Sequence, residues 1–107
     1  MQFMFNTDNN IDGTQEVAER IETGIRGTLS RFEDQLTRVV LHVNQETDEH
    51  YTASLEARIE GQQPQAVTAD GGSVDGVAME AGEKMERLLD SHFGKLEARR
   101  PQPDTIG

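Results

Sequence analysis

The stretch DGGSVDGVAMEAGEKMERLLDSHFGKL, residues 70–96, decides how the rest of the chain can fold. Asp70-Gly71-Gly72 reads as a turn, and Ser73 is placed to cap a helix. From there Val74, Val77, Ala78, Ala81, Met85, Leu88, Leu89 and Leu96 recur at steps of three and four, which puts them on one face of a long amphipathic helix. Such a face needs a covering layer. Two upstream runs supply one, because Leu36 to Val43 and Tyr51 to Ile59 alternate apolar and polar residues over most of their length.

The outer face of this helix carries Lys84, Arg87, Lys95, Arg99 and Arg100, with His92 nearby, against Glu83, Glu86, Asp90 and Glu97. Cations near a helix C-terminus complement the helix dipole and pair with carboxylates a turn away, so this arrangement has a structural explanation of its own. In a chain with a formal net charge of -10 it nevertheless stands out.

At 107 residues the chain has room for one hydrophobic core. It contains no cysteine, which excludes disulfides and thiolate metal sites. The N-terminal MQFMFNTDNN lacks the basic region, apolar run and cleavage site of a signal peptide, and no stretch approaches the length of a membrane span. These features predict a soluble cytoplasmic protein with no membrane partner. The acidic total opposes non-specific attraction to nucleic acid or anionic membrane. Lys84 and Lys95 are the only lysines, and an arginine-over-lysine, acid-rich balance also fits adaptation to high salt, where surface charge is screened.

In chain order, Gln2 to Asn6 is a short strand with Phe3 and Phe5 on one face and Met4 on the other. Asp8 to Gly13 is dense in turn formers, and Asp8, Asn10, Asp12, Gly13 and Glu19 formally match a calcium-loop pattern. Too few residues precede Asp8 for the helix such a loop requires, so the segment reads as a strand-to-helix turn capped by Thr14, with Asp8, Asn10, Asp12 and Glu19 a weak candidate set for calcium. A first helix starts at Gln15, with Val17, Ile21, Ile25, Leu29 and Phe32 as its stripe. Gly24 and Gly27 interrupt it, which suggests close packing against a neighbour or a helix held mainly by tertiary contacts. Leu36 to Asn44 is the clearest strand, with Val39, Leu41 and Val43 facing the core and Arg38, Val40 and His42 facing away. Asn44 to His50 reads as a hairpin loop, Tyr51 to Ile59 as the next strand, Gly61 to Pro64 as a turn, and Gln65 to Asp70 as a weak last strand. Pro101 and Pro103 end the second helix and leave a disordered tail, 101–107, behind a single domain of residues 1–100.

The order strand, helix, three strands, helix predicts an α+β fold, βαβββα. A right-handed crossover gives one parallel strand pair, the following strands form an antiparallel meander, and both helices cover one face of a four-stranded mixed sheet. The other face is wet and displays Arg38, His42 and Arg58. Met4, Met79 and Met85 read as core filler.

Asn9-Asn10-Ile11 with Thr14, the run Leu29-Ser30-Arg31-Phe32, and the closing 84-KMERLLDSHFGKL-96 resemble the short ribosome hibernation-promoting factors and ribosome-associated inhibitor protein Y. The resemblance extends over residues 1–100 and includes the element order. It implies the βαβββα fold and a translation inhibitor that binds small-subunit rRNA in the mRNA and tRNA channel during stationary phase or stress. Lys84, Arg87, His92 and Lys95 match basic positions of that family's second helix, and Arg99 and Arg100 would extend the rRNA-binding surface. The chain departs from the family at Gly24 and Gly27, where lysines are usual, at Asp75, where an aromatic is usual, and at Val77-Ala78-Met79. These departures leave open an alternative: a divergent member that has lost the ribosome and works as a small protein-interaction module or homodimer.

Catalysis and metal binding have weaker support. His42, His50 and His92 fall on strand, loop and helix without converging partners, and the carboxylates lie on predicted solvated faces. Gly71-Gly72 is flanked by Asp70 and Asp75, which repel an anion at the helix start. The chain is therefore read as a non-enzyme with no catalytic residue, no cofactor and no small-molecule substrate.

Overall fold

A computed structural model of the protein describes residues 1–8 and 15–99, the last five as backbone. Its elements are β1 (Gln2–Thr7), α1 (Gln15–Thr28), a 3₁₀ turn (Ser30–Phe32), β2 (Leu36–Thr47), β3 (His50–Ile59), β4 (Gln65–Gly71) and α2 (Val74–Arg99). The strands form one sheet in the order β1-β2-β3-β4. β1 and β2 are parallel, while β2–β3 and β3–β4 are antiparallel. The βαβββα order and the mixed four-stranded sheet are those the periodicity predicts.

The apolar stripes meet on one side of the sheet. Ile21, Ile25, Leu29 and Phe32 come from α1 and the 3₁₀ turn, and Val77, Ala78, Ala81, Met85 and Leu89 from α2. They bury Val39, Leu41 and Val43 of β2 and Ala53, Leu55, Ala57 and Ile59 of β3. No buried polar or charged residue occurs among the described residues, so burial of apolar surface carries this core without an internal polar network. Ser73 caps α2 as the sequence predicts, its Oγ accepting a hydrogen bond from the Gly76 amide at 3.0 Å.

The helices approach closely where glycine removes a side chain. A Cβ on Gly24 would lie 2.8 Å from Met79 Cε, and one on Gly82 would lie 3.0 Å from Ile25 Cδ1. Gly24 thus fulfils the predicted close packing and Gly27 does not, because nothing stands within 4 Å of a Cβ built there. Met4 also differs from expectation. It is 38% exposed on the open face, opposite Val40, while Met85 is buried and Met79 packs at the margin of the core.

The predicted loop from Asn44 to His50 is mostly strand. Asn44, Gln45 and Thr47 pair with Thr52, Tyr51 and His50, leaving Asp48 and Glu49 as the turn. This end of the hairpin runs past the buried core, so its ladder needs no apolar face and leaves no alternation to read. The β3–β4 turn is where predicted, with Gly61 supplying the positive φ of 74° that other residues resist.

Candidate nucleic-acid interface

α2 presents its predicted cations on different sides. Lys84 lies along the β4 edge, where Nζ donates to the Thr68 carbonyl at 2.9 Å and sits 3.4 Å from Glu80 Oε2. It therefore covers an open strand edge and is half neutralised by a carboxylate one turn back. Arg87 is exposed and makes no ion pair or hydrogen bond among the described residues. His92 turns toward the β3–β4 turn, with Nε2 2.7 Å from Gln62 Oε1 and its ring edge-on to Phe93. Of Lys84, Arg87 and His92, Arg87 alone combines exposure with a guanidinium that has no partner among the described residues. The side chains of Lys95 and Arg99, and the whole of Arg100, lie outside the described residues, as does the predicted tail, 101–107.

Among the described residues, and apart from Glu80, which meets Lys84, the carboxylates in this part of α2 do not pair with their own helix. Glu86 and Asp90 turn toward Arg31 of the 3₁₀ turn, at 3.8 and 3.2 Å, rather than toward Lys84 or Arg87. Arg31 also lies over the Phe32 ring, 4.7 Å from its centre, and Phe32 stacks on Phe93 at 5.6 Å. At the other end of the helix pair, Arg20 forms a fork with both oxygens of Asp75 at 3.0 and 2.9 Å, and this hydrogen-bonded pair raises the Arg20 pKa. Arg26 pairs with Glu22 at 2.7 Å and donates to the Met1 carbonyl. Every arginine of α1 and the 3₁₀ turn therefore meets a carboxylate.

The open face of the sheet is arranged differently. The register sets Gln2 beside Arg38 and Arg38 directly opposite Arg58, followed by rows Met4–Val40–Glu56–Ala66 and Asn6–His42–Ser54–Thr68. Arg38 has no charged partner among the described residues, and Arg58 has Glu56 at 3.6 Å. His50 at the hairpin end pairs with Asp70 at 3.1 Å. The sequence places Arg38 and Arg58 on this face, yet their direct opposition depends on a register that a linear reading does not reveal.

The candidate calcium loop is only partly described. Asp8 accepts a hydrogen bond from the Gln45 amide at 3.1 Å, and Glu19 accepts one from Gln15, while Asn10 and Asp12 lie outside the described residues, as does Thr14. Among the described residues no group of three or more His, Asp or Glu side chains could hold a metal ion. Nor is any helix long and apolar enough to cross a membrane.

No family model matches the chain, and no curated protein matches it in sequence. Solved structures do. The N-terminal domain of Thermus thermophilus protein Y matches with a TM-score of 0.72 at 12% identity, covering 86% of this chain and 99% of that one. A ribosomal subunit interface protein from Coxiella burnetii gives 0.73 at 11% identity, covering 88% of this chain and 99% of that one. The resemblance seen in the sequence thus holds for the fold, and the chain has the fold of the protein Y N-terminal domain and of this ribosomal subunit interface protein.

Proposed function

We propose that this protein is a non-enzymatic, cytoplasmic, ribosome-associated translation inhibitor of the hibernation-factor type, acting in stationary phase or stress. The observation that carries this reading is the likeness in fold to two solved chains over 99% of each, the N-terminal domain of a protein Y and a ribosomal subunit interface protein. The contact with small-subunit rRNA runs through the C-terminal half of α2, where Arg87 has no partner among the described residues and Lys95, Arg99 and Arg100 follow in sequence. Lys84 and His92 border that surface but are already engaged by Thr68, Glu80 and Gln62. Phosphate neutralisation at such a surface is electrostatic, so binding weakens as salt rises.

Cell-free translation in an extract from the source organism tests this. Protein synthesis falls with added protein, and the fall is relieved by Arg87→Ala combined with Lys95→Ala. Unchanged synthesis at saturating protein would overturn the inhibitor reading, and inhibition insensitive to both substitutions would overturn the surface.

One observation favours a second reading. Arg20, Arg26 and Arg31 are all neutralised, so the helix layer offers little free positive charge outside the end of α2. A divergent member acting as a protein-interaction module or homodimer fits that surface, and equal recovery in ribosome-free and ribosome-containing fractions is the result it predicts.

A further inference from the structure

We propose that Arg38 and Arg58 form a phosphate clamp on the open face of the sheet, beside the bulge at the start of β2. This is the face opposite the helices, and the proposal does not depend on ribosome binding. Three adjacent strands contribute, through the row Gln2–Arg38–Arg58. The register shifts between Leu36 and Arg38, so Thr37 and Arg38 are both exposed while Leu36 and Val39 on either side are buried. An extra residue in one strand re-aims the side chains next to it. Thr37 Oγ1 donates to the Arg58 carbonyl at 3.3 Å, which ties the bulge to β3, and Gln2, Thr37, Arg38 and Arg58 together line a shallow depression.

The charge there is out of character for the chain. Acidic residues number 20 against 10 lysines and arginines, and each arginine of α1 and the 3₁₀ turn has a carboxylate within reach. Like charges directly opposite each other on neighbouring strands destabilise a sheet. Nevertheless Arg38 has no ion pair or hydrogen bond among the described residues. Among the described residues the Arg58 side chain has one ion pair, from Nε to Glu56 at 3.6 Å, and no partner at its terminal nitrogens. The missing counter-charge is supplied by a ligand.

Guanidinium forks match planar or tetrahedral oxyanions, and two forks side by side suit a phosphate, which offers more oxygens and more charge than one carboxylate. Gln2 and Thr37 add neutral polar groups at the rim. The neighbouring rows, Met4–Val40–Glu56–Ala66 and Asn6–His42–Ser54–Thr68, hold one carboxylate, already turned to Arg58, and one ring, the exposed His42 imidazole, as a surface on which a base could stack. The clamp residues themselves address the phosphate group and not a base edge. The source is either the backbone of a single-stranded RNA or a free phosphate.

The test uses the full chain, the double variant Arg38→Gln/Arg58→Gln, and Arg87→Gln as a variant on the helix side. One arm measures anisotropy of a short labelled single-stranded RNA of mixed sequence across salt concentrations. The other measures the melting temperature in inorganic phosphate against chloride at equal ionic strength. If RNA is the source, the double variant loses at least about tenfold in affinity and its salt slope shrinks by about 1.4, two single-strand contacts at about 0.7 each, while Arg87→Gln keeps the clamp's share of binding. If free phosphate is the source, phosphate raises the melting temperature of the natural chain and not of the double variant. Removing the facing charges leaves the fold intact, so the double variant melts no lower than the natural chain in chloride. Equal behaviour of the two proteins in both arms, or no response from the natural chain in either, would overturn the clamp.

Discussion

The two faces of this sheet treat arginine in opposite ways. On the helix side, Arg20 is clasped by Asp75, Arg26 by Glu22 and Arg31 by Asp90 and Glu86. On the open side, Arg38 stands opposite Arg58 with no carboxylate of its own among the described residues. The paired side chains on the helix side are all substantially exposed, and exposed ion pairs add little stability. Their main effect is to orient the helices and cancel positive charge over that layer. The comparison teaches that net charge is a poor guide to anion binding in this chain: its location and state of neutralisation decide.

The largest effect comes from removing the floor both faces share. Leu55 is fully buried in the central strand β3, so Leu55→Ala lowers stability by about 2–5 kcal/mol in denaturant unfolding. A loss of less than about 1 kcal/mol would mean that the helices are not seated on this strand. Crowding the helix crossing comes next. Gly24→Leu collides with Met79 and costs about 1–3 kcal/mol, and it pulls apart the helices that hold Arg20 against Asp75.

Ser73→Ala removes the cap of α2 and costs about 1 kcal/mol, seen as a lower denaturant midpoint with an unchanged slope. The most discriminating change affects stability least. Asp75→Asn releases Arg20 and adds a free cation to the helix side. If RNA lies against that side, the salt slope steepens by about 0.7; if only the open face binds phosphate, the slope does not move.

Much of this architecture is legible from spacing. Val39, Leu41 and Val43, the Tyr51 to Ile59 alternation and the α2 stripe from Val74 to Leu89 face the predicted way because a buried face imposes a period of two or of 3.6, while the Leu96 side chain lies outside the described residues. The polar extension of β2 beyond Asn44, through Gln45, Glu46 and Thr47, is not legible, since only Tyr51 reaches the core from this end of the hairpin and one apolar residue imposes no period. Gly24 and Gly27 look alike in sequence, yet only the former sits at the helix crossing. The site is harder to read than the fold. Arg87 is exposed with no ion pair or hydrogen bond among the described residues, whereas Lys84 meets Glu80 and the Thr68 carbonyl, and His92 meets Gln62, contacts that helix spacing does not announce. Glu86 and Asp90 are taken by Arg31, a partner more than 50 residues away in the chain, so helix spacing alone misassigns them. The opposition of Arg38 and Arg58 likewise depends on strand register, which the bulge at Thr37 shifts.

Co-sedimentation of the purified protein with small ribosomal subunits from its own source, across a series of salt concentrations, tests the central claim most directly. The account predicts saturable binding that weakens as salt rises, and weaker binding by Arg87→Ala at every salt concentration. Absence of co-sedimentation even at low salt, with the protein folded by its circular dichroism, would contradict it.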